Sequence, residues 1–121
     1  MNKILICDDE EGVRESLKLI LGDYYELILT TSGEQCLECL RNSKDVKLVL
    51  LDIKMPQVNG LEILKEVKAK HPDKKVIIIT GYKSVETATE AVRLGASGYI
   101  VKPFKAEEIL GAARKNLSHA N

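Results

Sequence analysis

No stretch of this 121-residue sequence approaches the roughly 18 consecutive apolar residues of a membrane span. The N-terminus, "MNKILICDDE", turns acidic too early for a signal peptide. Neither charge is in excess: Lys plus Arg number 18 and Asp plus Glu 18, which leaves no basic surplus to hold nucleic acid. No membrane contact, no direct nucleic-acid binding and a cytoplasmic location are therefore expected. Cysteines number three, and an odd count argues against a disulfide framework. Cys36 and Cys39 do form a C-x-x-C, but it falls inside a predicted helix rather than where a strand turns into one. Cys7 is expected in a strand, and His71 and His119 are isolated, so no second ligand pair for zinc exists. Both C-x-x-C thiols read as ordinary helix residues, one of them core. There is no internal repeat, no low-complexity tract and no linker, and the expectation is one domain over 1–121.

Hydrophobic residues are 45% of the chain, enough for a real core. The balanced charge hides an asymmetry, because the first half is acidic and the second half basic. Apolar runs alternate with helical patterns five times. Strands read at "KILIC" (3–7), "ELILTT" (26–31), "VKLVLL" (46–51), "KVIIIT" (75–80) and "GYIV" (98–101). After the first, Val13, Leu17, Ile20 and Leu21 recur at helical intervals. Leu37 and Leu40, then Leu61, Leu64 and Val67, then Val85, Ala88 and Val92, and finally Ile109, Ala113 and Leu117 do the same. Ser32 with Gln35 predicts a capping box, Ser84 an N-cap, and Gly95 a helix stop. Lys105 stands where a capping Asp or Ser is expected, so the fifth helix is expected to be poorly tied at its start. Five β-then-α units imply an α/β fold: a doubly wound, flavodoxin-like parallel sheet of order 2-1-3-4-5 with five helices. Its site lies outside the carboxyl ends of the strands.

The residues at those ends carry chemistry. Asp8 and Asp9 close the first strand, Asp52 the third, Thr80 the fourth and Lys102 the fifth. Strands lie ~4.8 Å apart, so acids on the neighbouring first and third strands can share one ion. The short Thr80 hydroxyl can reach a group mounted on Asp52. Lys102 must span two strand spacings, roughly 10 Å, and only a long side chain does so. Two unit charges ~4 Å apart repel by about 4 kcal/mol at an effective dielectric near 20, so clustered carboxylates must take up a proton or bind a cation. Oxygen-only ligands near a phosphoryl group point to Mg²⁺.

Together "ILICDDE", "LVLLDIKMPQVNG", "VIIITGY" and "GASGYIVKPF" resemble the receiver domain of two-component response regulators over essentially the whole chain. The resemblance implies a phosphorylation-activated switch rather than an enzyme. Asp52 would accept a phosphoryl group from a sensor histidine kinase or histidine phosphotransferase. Asp9, Asp52 and the main-chain carbonyl of Lys54 would hold Mg²⁺, with Asp8 acting through water. Lys102 would pair with the phosphoryl oxygens, and the Lys102–Pro103 bond would be cis. Thr80 and Tyr99 would be the switch residues. They would alter the face of helix 4, strand 5 and helix 5 that meets an output domain, a target protein or a second copy in a dimer. Lys54 and Tyr82, flanking the path of an attacking water, are expected to set how long the phosphoryl group lasts.

Within the receiver reading two uses stay open: a stand-alone receiver, or the first domain of a nitrogen-regulation-type transcription activator. Two other classes fit less well. An aspartyl-phosphate hydrolase of the haloacid-dehalogenase kind needs an acid two residues after its nucleophile, where Lys54 stands. A phosphorylation-independent interaction module is expected to lose an acid, the Thr or the Lys, and all are present.

Overall fold

The apolar runs form strands because their β-branched and leucine side chains fill a sheet covered on both faces. The computed structural model describes residues 2–55 and 58–117; Pro56 and His119, singled out from the sequence, lie outside them. The elements alternate as β1 (Lys3–Cys7), α1 (Glu11–Leu21), β2 (Glu26–Thr30), α2 (Gly33–Asn42), β3 (Val46–Leu51), α3 (Gly60–Lys70), β4 (Lys75–Thr80), α4 (Val85–Arg93), β5 (Gly98–Val101) and α5 (Ala106–Leu117). The strands form one parallel sheet in the order β2-β1-β3-β4-β5, as the sequence predicts. A short antiparallel ribbon, Lys54–Met55 against Val58–Asn59, follows β3 and was not foreseen.

Side chains alternate between the two faces. Ile4, Ile6, Leu48, Leu50, Ile77 and Ile79 pack against Leu17 and Leu21 of α1 and Ile109, Ala113 and Leu117 of α5. Leu5, Cys7, Val49, Leu51, Val76 and Ile78 pack against Cys36 and Leu40 of α2, Ile63, Leu64 and Val67 of α3, and Ala91 of α4. Cys36 is wholly buried and Cys39 half-buried, both within α2.

Helix ends follow local chemistry. Ser32 Oγ accepts from the Gln35 N–H at 3.2 Å, while Gln35 Oε1 reaches one residue further back than a capping box requires, to the Thr31 N–H at 2.8 Å. Ser84 Oγ caps α4 by accepting from the Thr87 N–H. At the other end Gly95 takes φ 106°, and its N–H and that of Ala96 return to the carbonyls of Val92 and Ala91. That is the paired bonding of a left-handed helix stop. The expectation of a loosely tied α5 is corrected. Glu108 Oε1 accepts from the Lys105 N–H at 2.9 Å, and the Lys105 carbonyl accepts from the Glu108 N–H at 3.1 Å. Glu108 supplies the half of the cap that Lys105 cannot.

Gly60, which opens α3, has a steric reason. A Cβ there would lie 2.2 Å from the Ile53 Cα, and its N–H donates to the Ile53 carbonyl at 3.2 Å. The glycine lets α3 start directly against the segment that follows β3, and so fixes the loop carrying Lys54.

Candidate functional site

Register assembles the site. Cys7 and Leu51 are partners in the β1–β3 ladder, so the next residues, Asp8 and Asp52, emerge side by side. The Asp52 N–H still donates to the Cys7 carbonyl at 3.0 Å, and the Asp8 N–H to the Thr30 carbonyl at 3.1 Å. Both aspartates are 2% exposed, which makes them expensive as ions unless paired. Asp8 Oδ1 accepts from the Glu10 N–H at 2.9 Å, a turn that folds the backbone back and brings Glu10 over the site. Oxygens of Asp8, Glu10 and Asp52 lie within 4.8 Å of one another.

One ammonium answers all three. Lys102 Nζ lies 3.0 Å from Asp8 Oδ2, 2.8 Å from Glu10 Oε1 and 3.0 Å from Asp52 Oδ2. Its backbone is set by β5, with its N–H on the Thr80 carbonyl at 2.8 Å, and the Lys102–Pro103 bond is cis, as expected. The span of two strand spacings read from the sequence is met. Asp52 is held at both oxygens, since Oδ1 accepts from the Lys54 N–H at 2.9 Å.

The charges respond to these surroundings. Burial pushes the Asp8 carboxyl above the usual carboxylate range, against the opposing hydrogen bonds from the Glu10 N–H and Lys102. The Lys102 hydrogen bond holds the exposed Glu10 below that range. Burial alone would lower the Lys102 ammonium, but its bonds to Glu10, Asp8 and Asp52 outweigh this and raise it above the ordinary lysine value.

A cavity of about 420 Å³ opens onto Asp52, lined also by Asp9, Glu10, Lys54, Gly81 and Lys102. Asp9 is exposed at its mouth and is not one of the three clustered acids. Glu10, which the sequence reading missed, is one of them. Its signal was the third consecutive acid in "DDE", whose turn back over Asp8 is set by a side-chain hydrogen bond. A larger adjoining cavity of about 660 Å³ is lined by Asp9, Lys54 and Tyr82 among others. Across it the Lys54 ammonium lies 5.2 Å from the centre of the Tyr82 ring, within cation–π range.

Thr80 is wholly buried. Its Oγ1 accepts from the Tyr82 N–H at 3.5 Å, while the Tyr99 hydroxyl donates to the Tyr82 carbonyl at 2.9 Å. One peptide segment is thus held from β4 and from β5.

Residues 4–114 match the response regulator receiver domain. The chain belongs to that family. It is 38% identical to the transcriptional regulatory protein ZraR of Escherichia coli over 98% of its own length, but spans only 27% of ZraR. It is 37% identical to the chemotaxis protein CheY of Listeria monocytogenes, covering 95% of this chain and 98% of CheY. The CheY-like receiver domain of Methanospirillum hungatei superposes with a TM-score of 0.92 at 32% identity, covering 98% of this chain and 94% of that one. Receiver domains are phosphorylation-activated signalling switches, and this receiver carries their acidic pocket in Asp8, Glu10 and Asp52. No helix among the described residues is long and apolar enough to cross a membrane.

Three carboxylates against one ammonium leave the pocket short of positive charge, and an all-oxygen donor set suits a hard divalent ion such as Mg²⁺. Because its folded-state pKa is raised, Asp8 contributes stability only while protonated, below its unfolded value. That contribution is lost as pH rises through the raised folded value, and at neutral pH the buried charge is a cost. Asp8→Asn without divalent cations should therefore be more stable than wild type at pH 7 by about 1 kcal/mol, or roughly 4 °C in melting temperature. The gap should close as pH falls and wild-type Asp8 protonates. Thermal melts across that range check it, and a variant no more stable at pH 7 would count against the assignment.

Proposed function

We propose that Asp52 is the phosphoacceptor of this receiver and takes its group from a phosphohistidine on a sensor histidine kinase or histidine phosphotransferase. The observation that carries the reading is the 3.0 Å contact between Lys102 Nζ and Asp52 Oδ2, at the mouth of a cavity walled by acids. An Asp52 oxygen forms the bond to phosphorus as the phosphorus–nitrogen bond of the donor breaks, and the imidazole leaves with the electron pair. The Lys54 N–H orients the carboxylate, and Lys102 turns from the acids to the phosphoryl oxygens. In this reading Asp9, Asp52 and the Lys54 carbonyl would hold Mg²⁺, with Asp8 acting through water, and the bound ion would supply positive charge for the phosphoryl oxygens.

The switch follows from the Tyr82 peptide. If Thr80 turns its hydroxyl to a phosphoryl oxygen, the Tyr82 N–H loses its acceptor, and the Tyr99 hydrogen bond to the same residue shifts with it. The change reaches α4, where Val85 is 81% and Val92 59% exposed, an apolar surface for an output domain, a target or a dimer partner. Both uses left open by the sequence remain within this reading: an internal output domain, as in the longer ZraR, or a separate target, as suits the CheY-sized relative. A cytoplasmic location accompanies either.

Intact mass after incubation with Mg²⁺ and acetyl phosphate tests the acceptor. A single phosphoryl adduct is expected on wild type and none on Asp52→Ala. An adduct on Asp52→Ala, or none on wild type, would overturn it. Lys54 and Tyr82, paired across the neighbouring cavity, also restrict water, so the double variant Lys54→Ala/Tyr82→Ala should shorten the phosphoaspartate half-life. The expected change is about two- to fivefold, the scale of a cation–π contact of ~0.5–1 kcal/mol. An unchanged decay would remove the lifetime role and leave the acceptor standing.

A further inference from the structure

We propose that Glu10 is a positioning residue for Lys102: a displaceable counter-ion that occupies, in the resting state, the hydrogen bond the ammonium later gives to the incoming phosphoryl group. The inference rests on the phosphoacceptor reading above and concerns this chain's own residues.

A lysine ammonium has three N–H donors. Around Lys102 three carboxylate oxygens lie at 2.8, 3.0 and 3.0 Å, close enough to engage all three. A phosphoryl oxygen can be bound only when one of the three lets go. The side chains of Asp8 and Asp52 are 3% and 2% exposed, so losing the cation leaves either one a buried, poorly solvated charge. The Glu10 side chain is 61% exposed, and its carboxylate is rehydrated as soon as it leaves. Exposed ion pairs are worth little, which makes this contact the cheapest of the three to break. The exchange balances in charge, since one anionic oxygen leaves the ammonium as another arrives.

Glu10 makes no side-chain cap to α1, so substitution there removes no helix-ending bond. Glu11, the next residue, is exposed in the first turn of α1 and serves as a control for charge alone. The probe is acetyl phosphate at saturating Mg²⁺, with the rate of adduct formation followed against donor concentration. Glu10→Gln should lower the half-saturating donor concentration by about two- to fivefold with the maximal rate unchanged. Glu10→Asp keeps the charge but shortens the reach by one carbon, and it should shift in the same direction. Glu11→Gln should not shift. A second readout needs neither metal nor donor. In metal-free protein, labelling of Lys102 by acetic anhydride, measured against the exposed Lys65, should increase in Glu10→Gln as the charged side chain that covers the ammonium from the solvent side is lost.

If Glu10→Asp behaves as wild type while Glu11→Gln behaves as Glu10→Gln, the effect is long-range charge and the proposal is overturned. A higher half-saturation, a lower maximal rate or unchanged Lys102 labelling in Glu10→Gln would overturn it as well. Wild type failing to take up the phosphoryl group at all would instead sink the phosphoacceptor reading, and the competition argument with it.

Discussion

Everything at the carboxyl end of the sheet depends on one ammonium set among three carboxylates. Lys102 crosses two strand spacings to sit 3.0 Å from Asp8, 3.0 Å from Asp52 and 2.8 Å from Glu10. Two of these acids are buried, and without the lysine their charges would stand uncompensated where desolvation is most costly. The arrangement is still one-sided, because a single positive charge faces a cluster of acids. Such a pocket is stable enough to fold, yet keeps a standing demand for more positive charge.

The fold serves that pocket through register. Parallel pairing of Cys7 with Leu51 delivers two aspartates side by side, and every buried polar side-chain atom among the described residues has a partner. Close approach at Gly60 fixes the segment after β3, whose Lys54 N–H orients Asp52. On the far side, the Tyr82 N–H donates to the Thr80 hydroxyl oxygen, and its carbonyl accepts from the Tyr99 hydroxyl. In the proposed switch, movement at the acidic pocket reaches the exposed apolar surface of α4 through this peptide segment.

Much of this was legible in the sequence, for physical reasons. Buried parallel strands are near-continuous apolar runs, so Leu48 to Leu51 announced β3, and the aspartate ending it announced a site. Lys102 could be assigned because only a long side chain spans the gap. What was missed depended on hydrogen bonds that no periodicity encodes. Glu10 enters the site because its own N–H bonds to Asp8, and of that acidic run only Asp8 and Asp9 were picked out from the sequence. The start of α5 is tied by Glu108 reaching back to Lys105, a contact invisible from the identity of Lys105 alone. Similarly, the short ribbon around Lys54 is two residues per strand, too brief to leave an alternating pattern. The C-x-x-C pair was read correctly as helix residues, because its position one turn into α2 outweighed the motif.

Three carboxylates facing one ammonium should draw one divalent cation into the acidic pocket. Thermal melting of the wild-type chain against Mg²⁺ concentration, at constant ionic strength maintained with NaCl, tests this most directly. A ligand that binds only the folded state raises its stability steadily once its concentration exceeds the dissociation constant. That rise is expected for wild type, and its loss in Asp52→Asn. Melting temperatures that stay the same whether the ions are Mg²⁺ or Na⁺ would contradict it.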